Sequence, residues 1–285
     1  MAQLLKGAEV VSALNETIKS DVAALAARGV TPTLVILRVG DKPDDLAYER
    51  GATKRAETVG VAVRQIVLPE SVSQEALIAE IEKINSDDTI HGCLMLRPLP
   101  KHIDDLRARE ALLPEKDIDG ITEGSLAGVF AGIKRGFPPC TAQACLEILK
   151  HYGIDPAGKR AVVIGRSLVI GKPVAMMLLG QNATVTICHT RTKDMPAETK
   201  RAEILIVAAG RAGVIGSEYV TEGQVVLDVG INFDAAGKMT GDVNFAAVEP
   251  IVGAITPVPG GVGTVTTSVL MAHVVEAAKR TIARA

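Results

Sequence analysis

The sequence predicts an α/β protein built from two three-layer lobes, each with a parallel sheet packed against helices. Strand-like apolar runs and helix-like segments alternate in the order β-α-β-α-β through residues 33–100, and a second alternation starts near Gly158. The chain has 285 residues, of which 47% are hydrophobic and only 2% are aromatic. It is therefore long enough for two compact domains, whose cores must consist mainly of Val, Ile, Leu and Ala.

The first lobe is predicted from regular changes in hydrophobic spacing. Apolar residues recur with helical spacing over residues 9–28, and the run TLVILRVG at residues 33–40 predicts a strand. A helix that ends at Gly60, a strand VAVRQIVL, a helix over residues 74–85 and a strand within residues 90–100 follow in that order. Because strands that alternate with helices pair in parallel, we expect one parallel sheet.

A nucleotide-binding unit is predicted at residues 161–188. The β-branched run AVVIG is followed by the turn RSLVIG, a helix that Pro173 opens, and the strand ATVTIC. Two parallel strands joined by a helix form a Rossmann-like unit, and the unpaired N–H groups at the start of its helix suit a pyrophosphate. Gly165 and Gly171 do not fit the spacing G-x-G-x-x-G, so the generic dinucleotide fingerprint is absent.

Strands and helices continue to alternate beyond this unit. The runs EILIVAAG and QVVLDVGI predict further strands, ITPVPGGVGTVT at residues 255–266 predicts a turn, and residues 267–285 predict a terminal helix. The passage over residues 116–140 is predicted to be rich in loops. We therefore expect a first lobe of residues 1–140 together with the terminal helix, and a second, NAD(P)-binding lobe of residues 141–266.

Basic residues follow the second strand of the nucleotide-binding unit. Rossmann-like units usually carry an Asp or Glu there, which binds the ribose 2′-hydroxyl of NAD. This chain instead has the run HTRTK, with Arg191 and Lys193, and the preceding turn contributes Arg166. Guanidinium and ammonium groups pair with a 2′-phosphate, which an acidic side chain would repel. The residues favour NADP over NAD, and solvated loop charges are the alternative interpretation of each residue.

Charge, cysteine content and hydropathy argue against several classes of protein. The net charge of -2 and the pI of about 6.2 argue against a nucleic-acid-binding or membrane-binding surface. The four cysteines lack C-x-x-C spacing, which argues against a metal site and favours buried, reduced thiols in a cytoplasmic protein. We also expect no export signal and no membrane span, since an uncharged apolar run of about 18 residues is missing.

Several motifs, which occur in the same order along nearly the whole chain, together resemble one enzyme family. They are VGDKPDDLAYERGATKRAETVGV, RPLP, KDIDG, PPCT, VVIGRSLVIGKPVAMML, CHTRT, DVGIN, GDV and ITPVPGGVG. This set resembles the methylenetetrahydrofolate dehydrogenase/cyclohydrolases, which oxidise 5,10-methylenetetrahydrofolate with a nicotinamide cofactor. Many members also hydrolyse the methenyl product to 10-formyltetrahydrofolate. The resemblance implies folate in a cleft between the lobes, a homodimer formed through the cofactor lobe, and a last helix that packs on the first lobe.

The resemblance also assigns roles to residues in both lobes. Tyr48 would pack beside the folate ring system, and Asp119, the second acid of KDIDG, would accept hydrogen bonds from the pterin. A core tyrosine and a turn aspartate are the alternative interpretations. The other residues expected to contact folate are Leu96, Arg97, Pro98, Gly260 and Gly261. The residues expected to contact the dinucleotide are Gly165, Arg166, Ser167, His189, Thr190, Arg191 and Ile231.

Two positions depart from the family pattern. The catalytic lysine of the family stands four residues after the tyrosine, where this chain has Ala52, and its partner glutamine stands where this chain has Leu96. The nearest lysine is Lys54. Because each helical residue advances by about 100°, the side chains of residues 52 and 54 point about 160° apart. Lys54 can therefore replace the missing catalytic amine only after a local change of backbone.

These departures affect the two activities of the family differently. Hydride transfer needs proximity of the two rings and exclusion of water, but no proton carrier on the protein. Hydrolysis of the methenyl cation needs an activated water and proton transfer, which a lysine of tuned pKa can supply. We therefore expect an NADP-dependent dehydrogenase with little or no cyclohydrolase activity. The alternatives are a bifunctional enzyme in which Lys54 or Arg97 replaces the lysine, and a non-catalytic protein that binds folate or cofactor.

Overall fold

The computed structural model describes residues 1–234 and 236–284, which form two compact units. Unit A comprises residues 13–140 and the C-terminal segment from Thr267, and unit B comprises residues 1–12 and 141–266. Each unit contains a parallel sheet with helices. The predicted two-domain α/β fold is therefore confirmed.

The helices and strands alternate along most of the chain. The strands are β1 (Gln3–Leu4), β2 (Thr33–Val39), β3 (Ala62–Leu68), β4 (Gly92–Met95), β5 (Arg160–Ile164), β6 (Thr184–Cys188), β7 (Ile204–Val207), β8 (Val225–Asp228), β9 (Asn232–Phe233), β10 (Met239–Thr240) and β11 (Ala254–Ile255). The helices are α1 (Gly7–Ala26), α2 (Pro43–Val59), α3 (Gln74–Ser86), α4 (Asp105–Glu110), α5 (Glu123–Ala131), α6 (Cys140–His151), α7 (Gly171–Gly180), α8 (Met195–Lys200), α9 (Phe245–Val248) and α10 (Val262–Arg284).

The sheet of unit A has three parallel strands in the order β3-β2-β4. Alternate residues of the central strand, namely Val35, Leu37 and Val39, belong to a buried cluster that also contains Leu77 and Ile81 of α3. Because side chains alternate between the two faces of a strand, the intervening residues of β2 point to the opposite face of the sheet. Helix α2 covers part of that opposite face, because its buried Glu49 forms an ion pair with Arg38 of β2.

Helix α2 begins and ends at residues whose chemistry favours helix termini. Pro43 lies in the first turn, where a missing N–H costs little, and Gly60 ends the helix in the left-handed conformation with φ of 81°. Asp44 in the first turn complements the positive end of the helix dipole. The buried residues of the helix are Asp45, Glu49, Ala52, Ala56 and Val59. The helix therefore presents mainly small and acidic side chains to the interior.

Two short helices were not predicted from the sequence: α4 lies just before the passage over residues 116–140 that was predicted to be rich in loops, and α5 lies within it. The carboxylate of Asp104 accepts hydrogen bonds from the N–H groups of Leu106 and Arg107, which caps α4. The hydroxyl of Thr122 accepts a hydrogen bond from the N–H of Ser125, which caps α5. These helices have six and nine residues, which is too short for hydrophobic periodicity to reveal them.

The sheet of unit B has six parallel strands in the order β1-β11-β8-β7-β5-β6. The strand order reverses at β5, because β6 lies on one side of it and β7 on the other. In open α/β sheets, ligands bind at the carboxyl ends of the strands beside such a reversal. The Rossmann-like arrangement is therefore confirmed, and its expected binding edge lies after β5 and β7.

Two expected boundaries differ from the structure. Residues 1–12 belong to unit B and not to the first lobe, because β1 pairs with β11 at the edge of the larger sheet. The terminal helix begins at Val262 and not at Thr267, since Val262, Val265 and Val269 are buried with helical spacing. The boundary between the units therefore falls inside α10.

Gly92 in β4 should not tolerate a side chain. A Cβ atom there would lie 2.6 Å from Cγ2 of the buried Ile118, so we expect Gly92→Ala to lose about 1–3 kcal/mol of unfolding free energy through overpacking. Urea unfolding measures this loss. Gly51→Ala is the control, because a Cβ atom there meets no atom within 4 Å, and alanine stabilises a helix by about 0.5–1 kcal/mol relative to glycine. Equal stability of Gly92→Ala and the wild type would contradict this packing.

Candidate functional site

Unit A brings Tyr48 and Asp119 together. Tyr48 lies on α2, and Asp119 lies in the loop between α4 and α5. Tyr48 keeps 39% of its surface exposed, but its hydroxyl end is enclosed. Burial raises the pKa of the phenol, and the nearby Asp119 and Cys140 raise it further. An exposed aromatic surface beside a carboxylate can hold a flat heterocycle that carries N–H donors.

A second aspartate shapes the loop that carries Asp119. Asp117 is completely buried, and its carboxylate accepts the N–H of Ile121 at 3.0 Å and the N–H of Thr122 at 2.8 Å. Gly120 has φ of +68°, and a Cβ atom there would lie 2.4 Å from a backbone nitrogen of a neighbouring segment. The two acids of the KDIDG motif therefore differ in role, because Asp117 holds the backbone while Asp119 stays available to a ligand.

The carboxyl group of Asp119 titrates close to neutral pH. Burial, together with the negative charge of Asp117, raises its pKa to about 7. A hydrogen bond with Cys140 and the positive charge of Arg97 oppose that rise. Asp119 is half-buried, so it keeps partial access to solvent. The charge on the group expected to hold the pterin therefore depends on pH in the physiological range.

A buried layer of polar groups supports this loop from behind. The carbonyl oxygen of Ile118 accepts hydrogen bonds from the thiol of Cys140 at 3.2 Å and from Nδ1 of His273 at 2.8 Å. Burial lowers the pKa of His273 to about 4 and raises the pKa of the Cys140 thiol, so both groups are neutral at pH 7. The ring of His273 packs against Phe137 at a centroid distance of 5.0 Å. No motif in the sequence indicated this role for His273.

The segment after β4 places three of the expected substrate residues in different surroundings. Leu96 is only 5% exposed, whereas Arg97 and Pro98 are exposed. The guanidinium group of Arg97 forms two hydrogen bonds of 2.6 Å with the carboxylate of Asp105, which also accepts one from Arg109 at 2.9 Å. Arg97 is therefore held in a bidentate ion pair with α4, and it is not a free cation.

Buried apolar side chains occupy the two positions that depart from the family pattern. Ala52 is 0% exposed and Leu96 is 5% exposed. Lys54 is exposed on α2, and the two-residue offset turns it away from the buried face that contains Ala52. The structure therefore does not bring Lys54 together with Tyr48 and Asp119.

The turn after β5 brings its backbone close to the loop after β7. Gly165 has φ of +128°, and a Cβ atom there would lie 2.4 Å from the carbonyl oxygen of Ala208. A Cβ atom on Gly171 would lie 2.3 Å from the carbonyl oxygen of Gly165. The hydroxyl of Ser167 accepts the N–H of Ile170 at 3.2 Å and thereby orders the turn. The two glycines therefore permit a tight turn at the start of α7, where the positive end of the helix dipole favours an anion.

The turn after β6 is a compact loop that presents basic residues. The N–H of His189 donates to Oγ1 of Thr192 at 2.9 Å, and Nδ1 of His189 accepts the N–H of Arg191 at 3.1 Å. His189 therefore shapes the loop through its ring nitrogen. Thr190, Arg191 and Arg166 are exposed. Within the described part of the chain, Arg166 and Arg191 form no ion pair, so both guanidinium groups are available to an anionic ligand.

Two buried aspartates that the sequence reasoning did not single out build the loops after β7 and β8. Asp228 accepts the N–H of Gly230 at 2.9 Å, and burial raises its pKa to about 6. Asp242 accepts the N–H of Gly210 at 2.8 Å and the side-chain amide of Asn232 at 2.9 Å. The signal that could have found them is the presence of an Asp next to or near a Gly in both DVGIN and GDV.

The remaining expected site residues of unit B lie on loops at the ends of strands. Ile231 is 60% exposed in the loop after β8. Gly260 has φ of +102°, and its carbonyl oxygen accepts the N–H of Gly7 at 2.8 Å. A Cβ atom on Gly261 would approach a backbone carbonyl oxygen to 2.5 Å. The N-terminal segment therefore supports the Pro/Gly loop directly, which is a second reason why it belongs to unit B.

Comparison with known protein families assigns both parts of the chain. Residues 5–119 match the catalytic domain of the tetrahydrofolate dehydrogenase/cyclohydrolases, and residues 139–282 match the NAD(P)-binding domain of the same enzymes. The chain belongs to the tetrahydrofolate dehydrogenase/cyclohydrolase family. The resemblance inferred from the motifs is thereby confirmed, and the Rossmann-like sheet of unit B lies in the NAD(P)-binding domain of this family.

Individual members of the family are similar to this chain over nearly its whole length. The bifunctional protein FolD of Carboxydothermus hydrogenoformans is 52% identical over 279 residues, which cover 97% of each chain. The solved structure of the bifunctional FolD enzyme of Campylobacter jejuni is 38% identical, with a TM-score of 0.95 over 99% of this chain and 100% of that one. The Trypanosoma brucei enzyme, solved with NADP and an inhibitor, is 34% identical, with a TM-score of 0.91 over 99% of this chain and 98% of that one.

The family assignment makes the chain a relative of oxidoreductases that act on tetrahydrofolate derivatives in one-carbon metabolism. Among the residues that the structure describes, no group of three or more His, Cys, Asp or Glu could hold a metal ion. Within the same residues, no helix is both long enough and apolar enough to cross a membrane. The four cysteines are all free and buried.

Folate binding by unit A should weaken as the pH falls through neutrality. The pKa of Asp119 is raised to about 7, so protonation below that pH removes the acceptor that the pterin N–H groups need. We expect the dissociation constant of tetrahydrofolate to rise by up to about tenfold per pH unit below pH 7, because each unit corresponds to about 1.36 kcal/mol. Calorimetric titration at several pH values measures this slope.

The Asp119→Asn variant is the control for this pH dependence. Its amide does not titrate, so its affinity for tetrahydrofolate should be low and should not vary over the pH range in which the wild type changes. A wild type whose affinity is constant through neutrality, or a variant with the same slope as the wild type, would contradict the assignment of the slope to Asp119.

Proposed function

We propose that the protein is an NADP-dependent methylenetetrahydrofolate dehydrogenase with little or no cyclohydrolase activity. It oxidises 5,10-methylenetetrahydrofolate to 5,10-methenyltetrahydrofolate by hydride transfer to NADP. The observation that carries this proposal is the pair of buried apolar residues, Ala52 and Leu96, in a unit that retains Tyr48 and Asp119. Family membership supports the dehydrogenase activity, and the two apolar residues support the loss of the hydrolytic one.

Unit A supplies a carboxylate and an aromatic surface for binding folate. Asp119 accepts hydrogen bonds from the amino and ring N–H groups of the pterin, for which a carboxylate is a suitable partner. Tyr48, with 39% of its surface exposed, offers an aromatic surface for the ring system. The roles of Pro98, Gly260 and Gly261 remain predictions from the family resemblance. The tight turns at both glycines support them, since backbone without side chains can approach a ligand closely.

The residues of unit B fit a dinucleotide that carries a 2′-phosphate. The tight turn at Gly165 and Gly171 places the start of α7 at the binding edge, where the positive end of the helix dipole favours a pyrophosphate. The exposed guanidinium groups of Arg166 and Arg191 can hold the additional phosphate. The similar Trypanosoma brucei enzyme was solved with NADP, which supports the same preference. When bound, the nicotinamide ring accepts the hydride.

The oxidation asks little of protein side chains beyond binding and orientation. The lone pair of the substrate N5 stabilises the cation that forms as the hydride leaves, so no proton is transferred. Asp119 and Tyr48 restrict rotation of the pterin, and the negative charge of Asp119 compensates the positive charge that develops in the product. A dry site and close approach of the two rings complete the requirements.

The hydrolysis makes demands that these residues do not meet. Water must be activated and a proton removed by a group whose pKa is near the working pH. Ala52 and Leu96 do not titrate, Lys54 is exposed on another face of α2, and Arg97 is paired with Asp105. The pKa of Asp119 is raised to about 7, but this carboxyl group is assigned to the N–H groups of the pterin and not to a water. A guanidinium group also keeps its proton in proteins. The relatives are named bifunctional, so the comparisons do not support the loss, and the argument for it rests on these residues.

We further propose a cytoplasmic homodimer that forms through unit B. Strand β6 lies at the edge of the larger sheet, and Ile187 on this strand is 36% exposed. An exposed edge strand has unpaired backbone groups that can pair with a second chain. The four buried, free cysteines fit a reducing compartment.

Purified protein should oxidise the substrate without consuming the methenyl product. With 5,10-methylenetetrahydrofolate and NADP, we expect methenyltetrahydrofolate and reduced cofactor to accumulate in equal amounts, because Ala52 and Leu96 stand where the family has its lysine and glutamine. Absorbance of the two products, followed separately, measures this. Added methenyltetrahydrofolate should decay at the rate seen in buffer alone.

Two variants distinguish this outcome from the bifunctional alternative. If the wild type hydrolyses methenyltetrahydrofolate faster than buffer does, Lys54→Met and Arg97→Met identify the responsible group, since one of them should abolish the hydrolysis while oxidation continues. Such a loss would establish the alternative and overturn the proposal. Binding of tetrahydrofolate or NADP without any turnover would instead favour the non-catalytic interpretation.

The preference for NADP should depend on Arg191. We expect Arg191→Ala to raise the KM for NADP by about tenfold or more, because a hydrogen bond to a charged group contributes about 1.5–3 kcal/mol. The KM for NAD should not change, since NAD lacks the 2′-phosphate. Steady-state kinetics with both cofactors measures the difference. Arg201→Ala, which removes an exposed arginine of α8's C-terminal end in the same unit, is the control, and equal effects of the two substitutions would contradict the assignment.

A further inference from the structure

A buried ion pair joins α2 to the central strand of unit A. Nε of Arg38 on β2 donates to Oε2 of Glu49 on α2 at 2.8 Å, and both residues are only 7% exposed. The Nη1 atom of Arg38 also donates to the carbonyl oxygen of Gly40 and to the carboxylate of Asp41. The guanidinium group is therefore bound on both sides, by the helix and by the turn that precedes it. Glu49 is the residue directly after Tyr48.

The ion pair lies beside both positions that depart from the family pattern. Leu37 is the register partner of Met95, and the N–H of Leu96 donates to the carbonyl oxygen of Leu37 at 2.9 Å. The next pair along these strands, Arg38 and Leu96, therefore points to the same face of the sheet, opposite to Leu37 and Met95 of the α3 cluster.

The layer between α2 and this face of the sheet also brings the ion pair close to the second departing position, Ala52. Ala52 follows Glu49 by three residues on the buried face of α2, and residues at this spacing are neighbours on a helix. The side chains of Ala52 and Leu96 are apolar, so neither can form a hydrogen bond or an ion pair. Arg38 and Glu49 therefore make the polar contact between β2 and α2 in the part of the layer that the structure describes.

Packing alone does not explain this pair. Removing two charges from water is costly, and apolar residues of similar volume in the same place often give equal or greater stability. Buried ion pairs are well suited to fixing one arrangement of two elements, because a guanidinium group and a carboxylate interact well only in a defined geometry. A second contact fixes the start of α2 relative to the segment after β4, since Nζ of Lys42 donates to the carbonyl oxygen of Pro98. The turn after β2 is thus tied both to α2 and to the segment after β4.

We propose that Arg38 and Glu49 are positioning residues that set the orientation of α2 on the sheet and thereby hold Tyr48 against the folate ring system. The inference rests on the proposed function of Tyr48 in folate binding. It adds a role for two residues that do not touch the substrate. The pair supplies no general base, because a guanidinium group stays protonated, so it is compatible with oxidation and does not restore hydrolysis.

The test is a variant that removes both charges while it keeps the layer filled. In Arg38→Met/Glu49→Met, two unbranched apolar side chains replace the pair, so we expect unfolding at the same urea concentration as the wild type or higher. We expect the KM for 5,10-methylenetetrahydrofolate to rise by about tenfold, which is less than the 10²-fold loss that a misplacement of about 1 Å can cause. The KM for NADP should not change, because the cofactor groups lie in unit B.

Two further variants separate positioning from stability. Arg38→Lys keeps the charge but lacks the planar fork, so its KM for the folate substrate should lie between those of the wild type and the double variant. Glu49→Gln has the same shape as the wild type without its charge, and it tests the same point if the double variant fails to fold. The control is Lys279→Met/Asp21→Met, which removes a 2.7 Å ion pair between α10 and α1 and should leave both KM values unchanged.

Each outcome decides the inference. A selective rise in the KM for the folate substrate, with partial recovery in Arg38→Lys, supports it. Unchanged KM values in folded variants, or equal rises for folate and NADP, overturn it. If the wild type shows no turnover, calorimetric binding of tetrahydrofolate to the same variants gives the comparison, and a selective loss of affinity then supports the positioning role although the proposed enzymatic function fails. Absence of both turnover and tetrahydrofolate binding in the wild type overturns both.

Discussion

Parallel strand pairing is the constraint from which the arrangement of the functional groups follows. Strands that run in the same direction end at the same edge of their sheet, so the loops that follow them become neighbours within each unit. In unit B, this brings Gly165 after β5 against Ala208 after β7, although the two residues are far apart in the chain. In unit A, the turn after β2 meets the segment after β4 through Lys42 and Pro98. Ligand-binding loops are thus gathered by backbone pairing before any side chain contributes.

Loops at these edges need fixed shapes, and buried aspartates provide them. Asp117, Asp228 and Asp242 each accept hydrogen bonds from backbone N–H groups that have no partner in a helix or sheet. Charge-assisted hydrogen bonds of this kind offset the cost of burying a carboxylate. These three acids of the KDIDG, DVGIN and GDV motifs therefore hold the backbone, whereas Asp119, the second acid of KDIDG, keeps partial access to solvent.

Under the proposed function, the layer between α2 and the sheet is where the two activities of the family separate in this chain. Hydride transfer depends on how the rings are held, so it tolerates the apolar Ala52 and Leu96 as long as α2 keeps its place. Hydrolysis depends on a titratable group in the same layer, and neither residue supplies one. The Arg38–Glu49 pair keeps a defined polar contact in this layer without providing a base. On this proposal, the layer preserves the orientation of α2 without the side chains on which hydrolysis relies.

The sequence by itself determined the α/β class, the Rossmann-like unit, the family motifs and the absence of a lysine at Ala52. Hydrophobic period, turn residues and motif order are local properties, which a single chain displays without its fold. The structure alone assigned β1 to unit B and revealed α4 and α5, because a two-residue strand depends on a distant partner and short helices lack a period. It alone paired Arg38 with Glu49 and Asp242 with the loops around it, since such contacts depend on which strand and helix faces meet. Residue identity is local, whereas burial and partnership arise only when distant segments pack together.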